Sequence, residues 1–232
     1  MKKDRIFELD ALRGIAILCM VAVHFFMDFA LSSGNEPAPP VQFMLNWGGL
    51  FFILLSGVCA TLGHHPIRRG LVVLAAGMVC TLATLLMPVL GLGETLIIRF
   101  GILHFLGIAM LLTPLLNKLP VPWLLPVAAV LILLGFWVDT LQTGYTFLFP
   151  LGLRYPGFSS GDYFPLLPNL GYYMAGLFIG KTVYKNKTTR LPRVKADCLP
   201  IRVLCFCGRQ SLWIYLLHQP LIYGIMMLLD IM

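Results

Sequence analysis

The chain has 232 residues, a net charge of +7 and a mean hydropathy of +0.86, and 59% of its residues are hydrophobic against 12% charged. Soluble domains carry about 25% charged residues, so this composition excludes an ordinary soluble fold and predicts an integral membrane protein. The positive charge is explained by the membrane itself and requires no nucleic-acid partner.

Seven apolar stretches follow one another along the chain, and each can cross a hydrocarbon core of about 30 Å, the shorter ones marginally. All should be helices, because an open sheet cannot pair its backbone groups in lipid. The sequence therefore predicts an all-α, polytopic membrane helix bundle that forms a single domain over residues 1–232. The predicted spans are residues 10–31, 43–63, 71–92, 99–117, 121–138, 166–184 and 207–229.

The distribution of cations predicts the orientation of the bundle. An N-terminus on the inside places all but two of the 17 Lys and Arg residues at cytoplasmic ends, the exceptions being Arg99 and Arg154. Because cytoplasmic loops carry an excess of Lys and Arg, we expect the N-terminus inside and the C-terminus outside.

The first predicted span contains His24 and, one helical turn later, Asp28. A spacing of four residues places both side chains on one helix face. Burying such groups in lipid costs several kcal/mol, roughly 3 kcal/mol even on the mildest insertion scales, so ionisable residues at membrane depth are functional by default. The alternative interpretation is a buried polar pair that only packs two helices together.

Other polar side chains lie at compatible depths, given a rise of about 1.5 Å per residue. Arg99, His104 and Asp162 fall at the outer side with His24 and Asp28, and the pair His218 and Gln219 falls just below.

Each of these residues has a structural alternative. Arg99 can extend to the outer interface, and His104 can bond a neighbouring helix. Asp162 can cap the helix that follows it. His218 can satisfy the carbonyl that Pro220 leaves without an amide donor.

Arginines also collect at the predicted cytoplasmic mouth. Arginine grips phosphate through two parallel hydrogen bonds, so this cluster favours a phosphorylated ligand. The alternative is attraction to anionic lipid, which we prefer for the basic run 185–195. Arg13 can also pair with Asp10, three residues before it. The members of the cluster are Arg13, Arg68, Arg69, Arg202 and Arg209.

Two further patterns concern the loops and the packing. Residues 139–165 form a long outer connection rich in Gly, Pro and aromatic residues, as lids and binding loops often are. Gly176 and Gly180 form a GxxxG pair, which makes homo-oligomerisation possible. No grouping of the six Cys residues has the spacing of a metal site, so no metal is expected.

Several blocks of the sequence resemble one family. They are Phe7-Glu-Leu-Asp-Ala-Leu-Arg-Gly-Ile-Ala-Ile17 followed by His24-Phe-Phe-Met-Asp28, then Phe100-Gly-Ile-Leu-His-Phe-Leu-Gly107, residues 156–168, and Gly208-Arg-Gln-Ser-Leu-Trp-Ile-Tyr-Leu-Leu-His-Gln-Pro220. In this order, and nearly end to end, the chain resembles bacterial heparan-alpha-glucosaminide N-acetyltransferase catalytic-domain-like proteins. More distantly, it is similar to integral membrane acyltransferases that decorate bacterial surface glycans.

The resemblance implies a multi-pass enzyme of the bacterial inner membrane that transfers acetyl from cytosolic acetyl-CoA to an extracytoplasmic glycan or amino-sugar acceptor, at an amine or a hydroxyl. In the lysosomal member the catalytic histidine is usually placed in the luminal loop after the first span. This chain has no His between residues 29 and 63. We therefore assign the role of general base or nucleophile to His24, as in the glycan acyltransferases.

The other roles follow from that assignment. Asp28 would orient the His24 ring, and Asp162 would bind the acceptor or share the base role. Arg99 and His104 would hold the acceptor or stabilise the oxyanion. His218 and Gln219 would line the thioester path. The CoA phosphates would be contacted by Arg13, Arg68, Arg69 and Arg209.

Two other classes of function compete with a transferase. A proton-coupled transporter or lipid flippase could use buried His and Asp side chains as a relay. We find no paired halves with interrupted helices, the usual indication of a transporter. A receptor or scaffold is the third class, which an approximate count of seven spans does not distinguish. Membrane lipids are expected partners in every case.

Overall fold

The computed structural model describes residues 6–86, 88–90, 97–192 and 197–229. Parts of the predicted span 71–92 and of the basic run 185–195 lie outside these ranges. The described residues contain helices and no β-strand, which confirms the all-α prediction. The helices are α1 Phe7–Ser32, α2 Pro39–Leu62, α3 Pro66–Leu85, α4 Ile102–Leu116, α5 Val121–Asp139, α6 Leu166–Val183, α7 Leu199–Arg209 and α8 Ser211–Leu228.

Several of these helices are long and apolar enough to cross a membrane. In the described part of the chain, five segments meet both criteria: α1, α2, the stretch Pro66–Leu90, α5 and α8. Helix α4 is apolar but has only 15 residues. The protein is therefore a multi-pass membrane protein, while the count of seven spans and the orientation stay predictions.

Contacts divide the chain into two compact units. One, which we call the terminal unit, consists of Met1–Phe52 and Asn186–Met232. The other, the central unit, consists of Ile53–Lys185. Each unit holds part of the predicted site, and each is described by itself.

Helices α1 and α7 of the terminal unit pack with their backbones in direct contact. A Cβ atom added to Gly14 would overlap the carbonyl of Leu204, and one added to Gly208 would overlap the carbonyl of Asp10. The thiol of Cys205 donates to Phe7 O at 3.3 Å. Glycine is therefore required where the two helices meet, because no side chain fits between them.

Helix α7 differs from the sequence prediction. The predicted spans 166–184 and 207–229 leave a connection between them, but a helix already runs from Leu199 to Arg209. It is separated from α8 by Gln210, whose amide donates to Phe206 O and whose carbonyl accepts from the amide of Ile214, each at 3.0 Å. Proline at the second position of α7 is compatible with helix initiation, because first-turn amides have no intrahelical acceptor.

The central unit packs α3 along α4 and α5 along α6. Its core contains the fully buried side chains of Phe105, Leu124 and Tyr173. The Thr113 hydroxyl donates to Ala109 O at 2.9 Å, so Tyr173 donates its own proton to Thr113 Oγ1 over 2.7 Å. This pairing satisfies both hydroxyls at a depth where an unpaired one would cost about 1–3 kcal/mol.

The Gly176 and Gly180 pair lies inside this unit. Gly176 approaches Gly57 and the carbonyl of Leu54, while Gly180 lies against Thr61. The pair therefore packs α6 against the second half of α2. Because both glycines are used within the chain, they offer no surface to a second copy, and the sequence argument for a homo-oligomer loses its basis.

Candidate functional site

Two helices of the terminal unit bring the predicted catalytic histidine next to a second histidine. The rings of His24 on α1 and His218 on α8 lie 5.1 Å apart between centroids, at 63° to one another. His218 is 8% exposed, whereas His24 keeps an intermediate exposure. Of the two rings, His24 is thus the more exposed.

Hydrogen bonding fixes the tautomer of His218. Its Nδ1 lies 2.5 Å from the carbonyl oxygen of Tyr215, which can only accept, so Nδ1 carries the proton. In the neutral ring Nε2 is then a free acceptor. Pro220 leaves the carbonyl of Leu216, four residues before it, without an amide donor. His218 bonds the carbonyl of Tyr215 and not that of Leu216. His218 is accordingly held in orientation by its own helix.

Asp28 contacts α8 one turn further along. Gln219 Nε2 donates to Asp28 Oδ2 at 2.7 Å, and the Asp28 side chain is buried. In the part of the chain that the structure describes, no hydrogen bond joins Asp28 to His24. The spacing of four residues does direct both side chains towards α8, but each meets a different partner there.

Arg13 on α1 contacts Ser211, the first residue of α8. Its Nη2 donates to Ser211 Oγ at 2.8 Å, and Ser211 is 3% exposed. Among the described residues, the buried Nε of Arg13 has no hydrogen-bond partner. A buried guanidinium N–H without an acceptor is costly, so this position suits an added anionic group.

His104 of the central unit is fully engaged at the start of α4. The amide of Gly101 donates to His104 Nδ1 at 3.2 Å. Thr81 gives its hydroxyl proton to Ile98 O, so His104 Nε2 donates to Thr81 Oγ1 over 3.2 Å. Both ring nitrogens are thereby used, Nδ1 at the start of α4 itself and Nε2 in joining α4 to α3. This arrangement matches the structural alternative considered for His104.

Asp162 caps the same helix end. The amide of Ile102 donates to Asp162 Oδ2 at 2.9 Å, and a Cβ atom on Gly101 would overlap that carboxylate. The capped helix is α4 rather than α6, the helix that follows Asp162 in sequence. A carboxylate at a helix N-terminus is favoured by both the free amide and the helix dipole.

Removing this cap has an expected cost. Asp162→Ala should destabilise the protein by about 1 kcal/mol, because the Ile102 amide loses its acceptor. Asp162→Asn keeps an oxygen at this place and should retain most of the stability in thermal unfolding of detergent-solubilised protein. Equal losses in both variants would contradict the capping role. An Asn variant that is stable but inactive would support the predicted catalytic role.

The long aromatic segment of the central unit is ordered by ring contacts. Phe158 contacts Tyr163 at 4.8 Å and Phe149 at 5.6 Å between centroids. Tyr163 donates its hydroxyl to Phe149 O at 2.7 Å, and burial raises the pKa of this phenol to about 12. Arg99 Nε donates to Ser159 O at 3.0 Å while its side chain stays exposed. Arg99 thus lies beside this segment with hydrogen-bonding capacity to spare.

The remaining predicted arginines are exposed. Arg68 lies on an open cleft of about 700 Å³ at the start of α3. Arg69 lies close to Gly63, and Arg209 occupies the last turn of α7, where a cation is favoured by the helix dipole. The cleft is lined by His65, Ile67, Arg68, Leu71, Pro114 and Asn117.

Three hydrogen-bond partners of the candidate site residues Arg13, His218 and His104 were not predicted from the sequence. They are Ser211, the carbonyl of Tyr215 and the hydroxyl of Thr81. Ser211 carries a signal in hindsight, since serine favours helix starts, but its contact with Arg13 spans 198 positions.

One family model matches the chain. It is described as heparan-alpha-glucosaminide N-acetyltransferase, catalytic, and it covers residues 5–220. No curated protein and no solved structure matches the chain.

Proposed function

The chain belongs to the heparan-alpha-glucosaminide N-acetyltransferase catalytic family, whose members are membrane acetyltransferases, and we propose that it moves acetyl from cytosolic acetyl-CoA to an extracytoplasmic acceptor. The acceptor is a sugar amine or hydroxyl, and the membrane is the bacterial inner membrane. The observation that carries the proposal is the pair of histidine rings, 5.1 Å apart, on two helices of a multi-pass protein.

In this proposal His24 is the general base. It removes a proton from the acceptor nitrogen or oxygen, which attacks the thioester carbonyl carbon. The carbon–sulfur bond then breaks, and the departing thiolate takes up a proton to give free CoA. Positioned proton transfer of this kind contributes typically 10²- to 10⁴-fold to a rate. In the alternative step, His24 attacks the thioester carbonyl carbon and the carbon–sulfur bond breaks to release CoA. The acceptor then attacks the acetyl group on His24, and the imidazole leaves.

His218 and Gln219 support the first histidine. The Nδ1 proton of His218 is committed to Tyr215 O, so its Nε2 is available to a proton or to a donor group in the thioester path. Gln219 fixes Asp28, whose carboxylate supplies negative charge on the same helix face as His24. That charge stabilises an imidazolium formed during the reaction, as the acid of a triad does.

The phosphates of acetyl-CoA would be held by arginines. The Nε of Arg13, which has no hydrogen-bond partner among the described residues, fits an anionic oxygen, and Ser211 already orients its guanidinium. Arg209 in the terminal unit adds an exposed cation. For Arg68 and Arg69, which are exposed in the central unit, contact with CoA stays a prediction.

Acceptor binding is proposed for residues of the central unit. Arg99 keeps an exposed guanidinium beside the aromatic segment, which suits the hydroxyls or carboxylates of a glycan. Asp162 and His104 act there by fixing the start of α4. Their contribution to acceptor binding is then positional. The Asp162→Asn variant tests whether Asp162 also contacts the acceptor directly.

The experiment that tests the proposal uses the full chain in liposomes. Acetyl-CoA is added with a saccharide that ends in α-glucosaminide, and free thiol and acetylated sugar are both measured. We expect equal amounts of thiol and acetylated product. Uptake that is driven by a pH gradient and indifferent to CoA would favour the transporter instead.

A further inference from the structure

Helix α7 has a sharply divided surface. Leu204, Cys205 and Gly208 face α1, and Cys205 is 8% exposed. On the other side, Leu199, Val203 and Phe206 are 72%, 49% and 56% exposed. These three lie at spacings of four and three residues, so they form one continuous apolar stripe.

Cations border this stripe. Arg202 and Arg209 are exposed and lie along one edge of it, three residues after Leu199 and Phe206 respectively. The apolar face with a basic edge is the pattern of helices that lie in a membrane interface, with apolar groups among the acyl chains and cations at the headgroups. With 11 residues, α7 is about 16 Å long and cannot cross a bilayer.

Contacts with α1 give the level of α7. The hydrogen bond and the close backbone approaches between α7 and α1 involve Phe7, Asp10 and Gly14, at the start of α1. The rest of α1, from Ile15 to Ser32, rises about 27 Å, close to a full hydrocarbon core. The charged residues Glu8, Asp10 and Arg13 all precede this stretch. A membrane crossed by this stretch, which also carries Asp28, would place α7 at the level of the headgroup layer.

The chain before α7 is held at the same helix end. Glu8 is 6% exposed, and its carboxylate accepts from Thr189 Oγ1 at 2.8 Å and from the amide of Arg190 at 2.7 Å. This pins a segment that carries the exposed cations Lys187 and Arg190 against the start of α1. Because the Glu8 charge is buried in these bonds, the exposed charges described just before α7 include the cations Lys187 and Arg190 and one carboxylate, Asp197.

We infer that the exposed face of α7 is a binding surface for anionic phospholipid. Leu199, Val203 and Phe206 enter the boundary between acyl chains and headgroups, and Arg202 holds the phosphodiester of an acidic lipid. This role is separate from acetyl transfer, and it is tested without acetyl-CoA, so its failure and that of the proposed function are distinguishable.

The test measures lipid binding to the purified full chain in detergent by native mass spectrometry. We expect phosphatidylglycerol to bind more tightly than phosphatidylcholine. One cation near a membrane surface contributes enough that Arg202→Gln should weaken phosphatidylglycerol binding about fivefold and leave phosphatidylcholine unchanged. Arg202 is exposed, so the variant should keep the wild-type melting temperature.

Matched variants decide the outcome. Lys118→Gln removes one exposed cation outside α7 and should leave both affinities unchanged. Arg202→Lys keeps the charge and should stay within about twofold of wild type. An Arg202→Gln protein that binds phosphatidylglycerol as wild type does, or an equal loss in Lys118→Gln, would overturn the inference. In bilayers, a Phe206→Trp side chain should be quenched by lipids brominated near the headgroup, and the absence of such quenching would also overturn it.

Discussion

Replacing His24 by alanine should reduce release of free thiol from acetyl-CoA by at least about 100-fold, because the general base is removed. The change leaves a small cavity at a partly exposed position, so the protein should remain folded. Thiol release is followed with a chromogenic disulfide reagent on protein in liposomes, after a thermal unfolding curve has shown that the fold is intact.

His64 supplies the matched control for this measurement. It lies exposed in the turn between α2 and α3, and it belongs neither to the His24 and His218 pair nor to the group around His104. His64→Ala should therefore retain wild-type activity. A folded His24→Ala protein that releases thiol at the wild-type rate would refute the assignment of the base, whatever the acceptor proves to be.

Replacing Gly208 by alanine should disrupt the terminal unit. The added methyl group would overlap the carbonyl of Asp10, and backbone atoms of two packed helices cannot give way as the end of a side chain can. Overpacking of this kind costs about 1–3 kcal/mol or more. We expect a lower melting temperature in detergent. Since Arg13 follows Asp10 on α1, weaker donor binding, seen as a raised KM for acetyl-CoA, should accompany it.

Gly224 provides the control for helix propensity. It lies within α8 with no atom within 4 Å of an added Cβ. Gly224→Ala should be neutral or stabilising by up to about 1 kcal/mol, because alanine is the better helix former. Equal melting temperatures for the two alanine variants would contradict the close contact between α1 and α7.

The sequence was sufficient to predict a membrane protein and to place His24 and Asp28 on one helix face. Hydropathy depends on composition alone, and the four-residue spacing of His24 and Asp28 fixes their common face on any helix. Their partners were not accessible in the same way. The Asp28 contact spans 191 positions and the Asp162 contact spans 60, and nothing in the local sequence indicates either.

Helix α7 shows most clearly which structure the local sequence does not predict. Pro200 and Arg202 interrupt the apolar pattern, so the sequence predicts a polar loop over residues 185–202 and a span only from residue 207. The helical structure of α7 is stabilised by packing against α1 at two glycines, and such tertiary contact routinely overrides local propensity. The same glycines lay within the blocks that resemble the family, but their role depends on a neighbour that the sequence does not identify.

The chain order of the terminal unit bears on how the protein is made. Arg13 and Asp28 leave the ribosome early, yet Ser211 and Gln219 follow 198 and 191 positions later. At about 5–20 residues per second, translation takes about 10 to 40 seconds to supply these partners. During that time the nascent first helix holds a carboxylate and a guanidinium in or beside lipid without their final bonds. Completion of this unit is therefore a late event, and chains that end before α8 leave both groups without these partners.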